Sequence, residues 1–103
     1  MSASIFDFVS DELERLTRLE KLEARGTVRL ALKAAGLDAR TVTTKQMVAT
    51  LEKVMPNEMR VRGIEEAEQV CRRIVTALEA AHPSSAAAAL ESPEAIFRRL
   101  AQG

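Results

Sequence analysis

Residues 64–78 read Ile-Glu-Glu-Ala-Glu-Gln-Val-Cys-Arg-Arg-Ile-Val-Thr-Ala-Leu, and this stretch decides the fold class. Its apolar side chains recur at spacings of three and four, which is the period of one face of an α-helix. The apolar positions are Ile64, Ala67, Val70, Cys71, Ile74, Val75 and Leu78. Its acidic residues crowd the beginning, where the helix dipole stabilises negative charge. The stretch therefore predicts a helix whose apolar face packs into a core.

Helical signals also dominate the rest of the chain. No segment alternates apolar and polar residues over the length of a strand, and no Asn-Gly or Asp-Gly pair marks a hairpin. Thr43 and Gln46 have the spacing of a capping box, and Gly36 followed by Leu37 is typical of a helix C-terminus. We therefore predict an all-α fold, a small bundle of four to six helices.

The first helix is predicted to be long. Ser4 is a suitable N-cap with Asp7 three positions later, and no Pro or Gly interrupts the chain before Gly26. The sequence thus predicts one helix from Ser4 to Arg25. Gly26 is the place where this helix is expected to break or kink.

Length and composition indicate one domain and a tail. The chain has 103 residues, of which 47% are hydrophobic and 29% charged, and these are ordinary values for one globular domain. Residues 1–82 are predicted to form the helical bundle, and residues 83–92, rich in Ala, Ser and Pro, a linker. Ser92 and Pro93 are residue types favoured at a helix start. Residues 93–103 are therefore predicted to form a short C-terminal helix.

The composition argues against most catalytic and metal chemistry. The chain has one Cys, one His, and no Tyr or Trp. Cys71 lies on the apolar face of its predicted helix, which indicates packing and not nucleophilic catalysis. His82 stands at the predicted end of that helix, where an imidazole can serve as a cap. We predict no enzymatic activity, no catalytic residue, no cofactor and no metal site.

The sequence also bears on location. The N-terminus has acidic residues and no basic segment leading into an apolar run, so no signal peptide is expected. No apolar stretch approaches the roughly 20 residues that span a bilayer. A single thiol without an export signal is typical of the reducing cytoplasm, so we expect a cytoplasmic protein without membrane contact.

Two sets of apolar residues are candidates for contact with a partner. One is the stripe of the N-terminal helix together with a second ring, and the other belongs to the C-terminal segment. The first set is Phe6, Phe8, Val9, Leu13 and Leu16, and the second is Ile96, Phe97 and Leu100. The stripe exceeds what one small core is expected to bury, so we predict a protein partner, with a homodimer as the simplest case. The alternative is that the three rings form a small cluster within one chain.

Four basic residues form a further candidate site. They lie four positions apart, and no acidic residue stands three or four positions from any of them. These residues are Lys21, Arg25, Arg29 and Lys33, and we call them the basic ridge. On one continuous helix their like charges cost stability unless an anionic group lies against them. Two interpretations stay open: a solvated cationic face, or a contact surface for an acidic protein or a phosphate backbone.

These observations predict a non-catalytic protein interaction or regulatory adaptor module that pairs with itself or with a helical partner. The alternative function is a DNA-binding regulator of the helix-turn-helix kind, because short consecutive helices can present one helix to the major groove. Fifteen basic and fifteen acidic residues give no net charge, which weighs against nucleic acid. The segment of about eight residues from Gly36 to Thr43 is also longer than the turn of that motif. No small-molecule substrate is inferred.

Overall fold

The structure of the protein is a computed structural model, and it describes residues 4–83. These residues contain no strand and form five α-helices: α1 (Ile5–Leu16), α2 (Lys21–Ala34), α3 (Thr44–Lys53), α4 (Met55–Val61) and α5 (Ala67–Ala81). The prediction of a small all-α bundle is confirmed. The predicted C-terminal helix and all of the predicted linker beyond Pro83 lie outside the described residues.

The predicted helix caps are present. The hydroxyl of Ser4 accepts from the backbone N–H of Asp7 at 3.1 Å. Thr43 and Gln46 make both hydrogen bonds of a capping box, at 3.1 and 3.0 Å. These bonds satisfy N–H groups that have no partner within their own helix. The beginnings of α1 and α3 are therefore fixed by short-range chemistry.

Gly36 ends α2 as predicted. It has a φ of 75°, which favours glycine. The N–H of Leu37 donates to the Leu32 carbonyl at 2.8 Å, and that of Gly36 to the Lys33 carbonyl at 3.0 Å. These two bonds make a Schellman ending.

The single long N-terminal helix is not confirmed, because α1 ends at Leu16. Thr17 is extended; its hydroxyl donates to the Leu13 carbonyl at 2.6 Å and accepts from the Leu19 N–H at 3.1 Å. The Thr17 backbone N–H still makes the last helical bond, to the Leu13 carbonyl at 3.1 Å, whereas the Leu19 N–H bonds to the Thr17 hydroxyl in place of the Arg15 carbonyl that a continuing helix would offer. Gly26 lies inside α2, so the break predicted at that glycine occurs instead at residues 17–20.

Pro56 favours a turn near Met55 to Asn57, because proline has no amide hydrogen and biases the preceding residue away from helical angles, but the structure is helical there. α4 begins at Met55, directly after Val54 ends α3, and Pro56 lies in its first turn. Proline is tolerated there because its missing N–H needs no partner in the first turn of a helix. Val54 is therefore the only residue that separates α3 from α4.

The core draws on all five helices. α1 packs against α2 and α5, and α4 packs against α2, α3 and α5. The fully buried large side chains include Val9, Leu13, Val28, Leu32, Met47, Leu51, Met55, Met59, Ile74 and Leu78. Three of them are methionines, whose flexible side chains suit irregular gaps in a core. With α1 covered on two sides, its stripe lies in the middle of the bundle.

Candidate partner-binding face on helix α2

The apolar stripe of α1 is buried within the single chain. Phe6, Val9 and Leu13 are 5%, 0% and 0% exposed and belong to the main core. Leu16 is half-buried at the end of α1 and packs against the same core. The expectation that this stripe exceeds one small core is therefore corrected: α2 and α5 cover it, and it does not require a second copy of the chain.

Phe8 lies on another side of α1 from Phe6. It is half-buried, and its ring meets the imidazole of His82 edge-on, with the ring centroids 5.5 Å apart. His82 stands at the C-terminus of α5, but its backbone N–H, and not the imidazole that was predicted to cap the helix, donates to the Leu78 carbonyl, at 2.6 Å. The contact joins the beginning of α1 to the end of α5. Two of the three phenylalanines are thus placed by contacts within the chain.

The C-terminal candidates cannot be placed on this bundle. Ile96, Phe97 and Leu100 lie outside the described residues. Their predicted role in partner binding stays a prediction.

The outward face of α2 carries two of the three large apolar residues that the described bundle leaves exposed. Leu22 is 83% exposed and Leu30 is 48% exposed, although the opposite face of α2 is buried in the core. We call the outward positions the α2 face; they are Leu22, Gly26, Arg29, Leu30 and Lys33. At 3.6 residues per turn they fall within an arc of about 100°. α2 therefore has apolar side chains on both of its sides.

The basic ridge is continuous because α2 runs unbroken through Gly26. Arg25 donates to the carboxylate of Asp7 on α1 at 2.9 Å. This hydrogen bond, together with those from Ser4, holds the pKa of the Asp7 carboxyl below its ordinary value. The guanidinium carbons of Arg25 and Arg29 lie 4.8 and 5.3 Å from the centre of the Phe6 ring, which is cation–π range. Two of the four cations are thus held in place by α1.

The other charges of the ridge are not neutralised within the described part of the chain. No carboxylate there lies within 4.0 Å of a basic nitrogen of Lys21, Arg29 or Lys33. Glu23, the acidic residue of α2, lies at the far edge of the α2 face beside Leu30. The ridge therefore presents a local positive surface on a chain without net charge.

Gly26 forms a gap between the two exposed leucines. It lies four residues from each of them, so the three positions form one row along the helix. Among residues 4–83, an ideal Cβ placed on Gly26 has no atom within 4 Å outside its own turn of helix, and the φ of Gly26 is not positive. Neither packing nor backbone conformation in this described part therefore requires a glycine here, although glycine destabilises a helix interior by about 0.5–1 kcal/mol relative to alanine.

Sequence reasoning found the basic ridge but missed the exposed leucines. It placed Leu22 in a helix continuous with α1, where Leu19 and Leu22 follow the stripe at spacings of three and rotate the apolar face. The spacing of four between Leu22, Gly26 and Leu30 is the signal that could have identified the face. A third exposed apolar residue, Val61, is 74% exposed at the end of α4. It also went unnoticed.

Cys71 is placed as a packing residue. Its side chain is 3% exposed, and its sulfur lies 3.4 Å from the sulfur of Met59. Burial raises the pKa of the Cys71 thiol to about 12, so the thiolate needed for nucleophilic attack is scarce at neutral pH. Within residues 4–83 no group of three or more His, Cys, Asp or Glu side chains is arranged to hold a metal ion.

Comparison with protein-family models, with curated proteins and with solved structures finds no match for this chain. Over the part of the chain that is described, no helix combines the length and apolar character that crossing a membrane requires. The function is therefore inferred from the geometry of the α2 face.

Proposed function

We propose that this chain is a non-catalytic interaction module that binds an acidic amphipathic helix of a partner protein on the α2 face. The observation that carries the proposal is the combination found on one side of α2. Two exposed leucines flank a glycine gap, and a row of unneutralised cations runs beside them. Helices pack against one another through rows of side chains four residues apart, and Leu22, Gly26 and Leu30 form such a row.

The apolar part supplies the affinity. Scattered exposed leucines are common on protein surfaces, but here two lie on one helix row with a gap between them. Removing a leucine side chain from water contributes roughly 1.5–3 kcal/mol. The gap at Gly26 lets the backbone of a second helix come close to α2, as small residues do at helix crossings.

The charged part selects an acidic partner. Lys21, Arg29 and Lys33 gain opposite charges only from outside the described bundle, and complementary charge favours correct partners over wrong ones. A second copy docking its own α2 face on this one would bring two basic ridges together, because a two-fold axis pairs a surface with itself. The face therefore favours a different protein over self-association.

A DNA-binding regulator fits the same surface less well. Leu22 and Leu30 would face charged phosphates, and Arg25 is already paired with Asp7. Nucleic-acid surfaces gain most of their affinity from several free cations together, and this chain has no net charge to add to them. Tight binding to duplex DNA would therefore count against the proposal.

The proposal is tested with a synthetic amphipathic helix of Leu and Glu, about five turns long, titrated into the full chain by calorimetry. A peptide with the same leucines but Lys in place of Glu is the charge control. We expect the Leu/Glu peptide to bind and the Leu/Lys peptide to bind at least tenfold more weakly. Equal binding of both peptides would overturn the electrostatic part of the proposal.

Matched variants locate the binding site. Arg29→Glu with Lys33→Glu should weaken Leu/Glu binding about tenfold or more, because attraction is replaced by repulsion. The control, Lys45→Glu with Arg73→Glu, reverses two exposed charges on α3 and α5 and should leave binding unchanged. An equal loss in both variants, or tight binding of duplex DNA without peptide binding, would contradict the proposal.

A further inference from the structure

A second surface lies on the part of the bundle formed by α3, α4 and α5, and no residue of α2 contributes to it. It is a groove of about 460 Å³ whose apolar walls are Leu51, Pro56, Cys71 and Val75. Val75 is half-buried, so it keeps surface that the bundle does not cover. The groove follows one side of α5, which is the last described helix before the chain continues past Pro83.

The rim of this groove is charged. Glu52 and Glu68 stand on it together with Arg72. Glu68 pairs with Arg60 at 3.2 Å, but both side chains are largely exposed, at 74% and 51%. Such an exposed pair contributes little and exchanges partners readily. An occupant with apolar anchors, flanked by basic groups and an acidic group, would complement this rim.

The C-terminal segment of the same chain has this composition. Ile96, Phe97 and Leu100 share one side of the predicted helix, Arg98 and Arg99 stand between them, and Glu94 precedes them. The acidic Glu94 complements Arg72, and the two arginines complement the acidic groups of the rim.

The length of the chain allows this segment to reach the groove. From Ala81 back to Arg72, α5 rises about 14 Å. The ten residues 83–92 extend to at most about 35 Å. The segment can therefore fold back along α5 and lie beside its own bundle without strain in the connection.

We propose that residues 93–103 bind in the groove between α3, α4 and α5 of the same chain, with Phe97 in contact with its apolar wall and Arg98 and Arg99 beside Glu52 and Glu68. This contact covers the apolar surface of the groove. It is independent of the α2 face, so either proposal can fail without the other.

The test uses the full chain with Phe97→Trp, whose indole is then the only one, because the natural chain has neither Trp nor Tyr. We expect the emission maximum of the folded protein to lie at the short wavelengths of a buried indole. Adding Glu52→Lys with Glu68→Lys should shift it toward the wavelength of the urea-unfolded chain. Adding Arg98→Glu with Arg99→Glu to that variant should restore the short wavelength, because the charges are complementary again.

The control reverses two exposed acidic residues outside the groove, Asp11→Lys with Glu14→Lys, and should leave the emission unchanged. Circular dichroism verifies that each variant keeps its helices. The proposal is overturned if the folded Phe97→Trp chain emits at the wavelength of a solvent-exposed indole. It is also overturned if Glu52→Lys with Glu68→Lys leaves the emission maximum unchanged. Emission that depends on protein concentration would place the segment on a second chain and also overturn it.

Discussion

Replacing Gly26 by alanine is predicted to stabilise the fold and weaken the interaction proposed for the α2 face. The glycine lies within α2, its φ is not positive, and a Cβ at this position meets no atom within 4 Å outside its own turn. Alanine therefore fits without strain and removes the entropic cost of glycine in a helix. We expect a gain of about 0.5–1 kcal/mol, which raises Tm by about 2–8 °C for a domain of this size.

The assay combines urea unfolding followed by circular dichroism with titration of the Leu/Glu peptide. Gly36→Ala is the contrast: that glycine has a φ of 75°, so alanine there should lower the free energy of unfolding by about 1–2 kcal/mol. Gly26→Ala should bind the peptide more weakly, because its methyl group fills the gap between Leu22 and Leu30.

Two results would refute this reasoning. A loss of stability in Gly26→Ala would mean that the helix interior at this position is packed or strained. A gain of stability with unchanged peptide binding would show that the gap is not part of the contact surface.

Three further predictions concern the bundle itself. In urea titrations, Leu13→Ala should lower the free energy of unfolding by about 2–5 kcal/mol, whereas Leu22→Ala should change it by less than about 0.5 kcal/mol. Equal losses in the two variants would contradict the buried position of Leu13 and the exposed position of Leu22. Ser10→Ala should be neutral or stabilising by about 1 kcal/mol, because the buried Ser10 hydroxyl has no hydrogen-bond partner among residues 4–83; a marked loss of stability in thermal unfolding would contradict this. Burial raises the pKa of the Cys71 thiol to about 12, so the unfolded chain releases this proton at a lower pH than the folded chain. The thiol's contribution to the free energy of unfolding is therefore complete below the unfolded pKa and declines as pH rises toward 12. The slope is up to about 1.4 kcal/mol per pH unit, and alkaline urea titrations should show it in the natural chain and not in Cys71→Ala; identical slopes would refute it.

The features that the sequence predicted correctly depend on neighbours within a few residues. The caps at Ser4 and Thr43 and the ending at Gly36 need only the chemistry of adjacent positions, so spacing was enough to find them. The apolar face of α5 was found in the same way, because its periodicity continues over four turns without interruption.

The break between α1 and α2 was missed. Residues 17–20 contain no Pro or Gly to mark it; the hydroxyl of Thr17 bonds to the Leu13 carbonyl and to the Leu19 N–H, and α2 then packs back against α1. Once the helix ends at Leu16, Leu19 enters the core at 9% exposure while Leu22 points outward at 83%. The spacing of apolar residues, taken across the break as if the helix continued, could not show that Leu19 is buried and Leu22 exposed.

The candidate site was predicted only in part, because some of its features lie within one helix and others depend on contacts between helices. The spacing of the basic ridge belongs to one helix and could be read directly. The pairing of Arg25 with Asp7 joins residues 18 positions apart, and the contact of Arg29 with the Phe6 ring joins different helices. Neither contact could be predicted before the packing of α1 on α2 was known.

The most direct test of the central claim is a nitrogen–proton NMR titration of the full chain with the Leu/Glu peptide. The account predicts that the amide signals that move most belong to Lys21–Lys33, with those of α3 and α5 nearly still. Signals that move most along Leu51 to Val75, or spread evenly over the five helices, would show that α2 does not present the binding face.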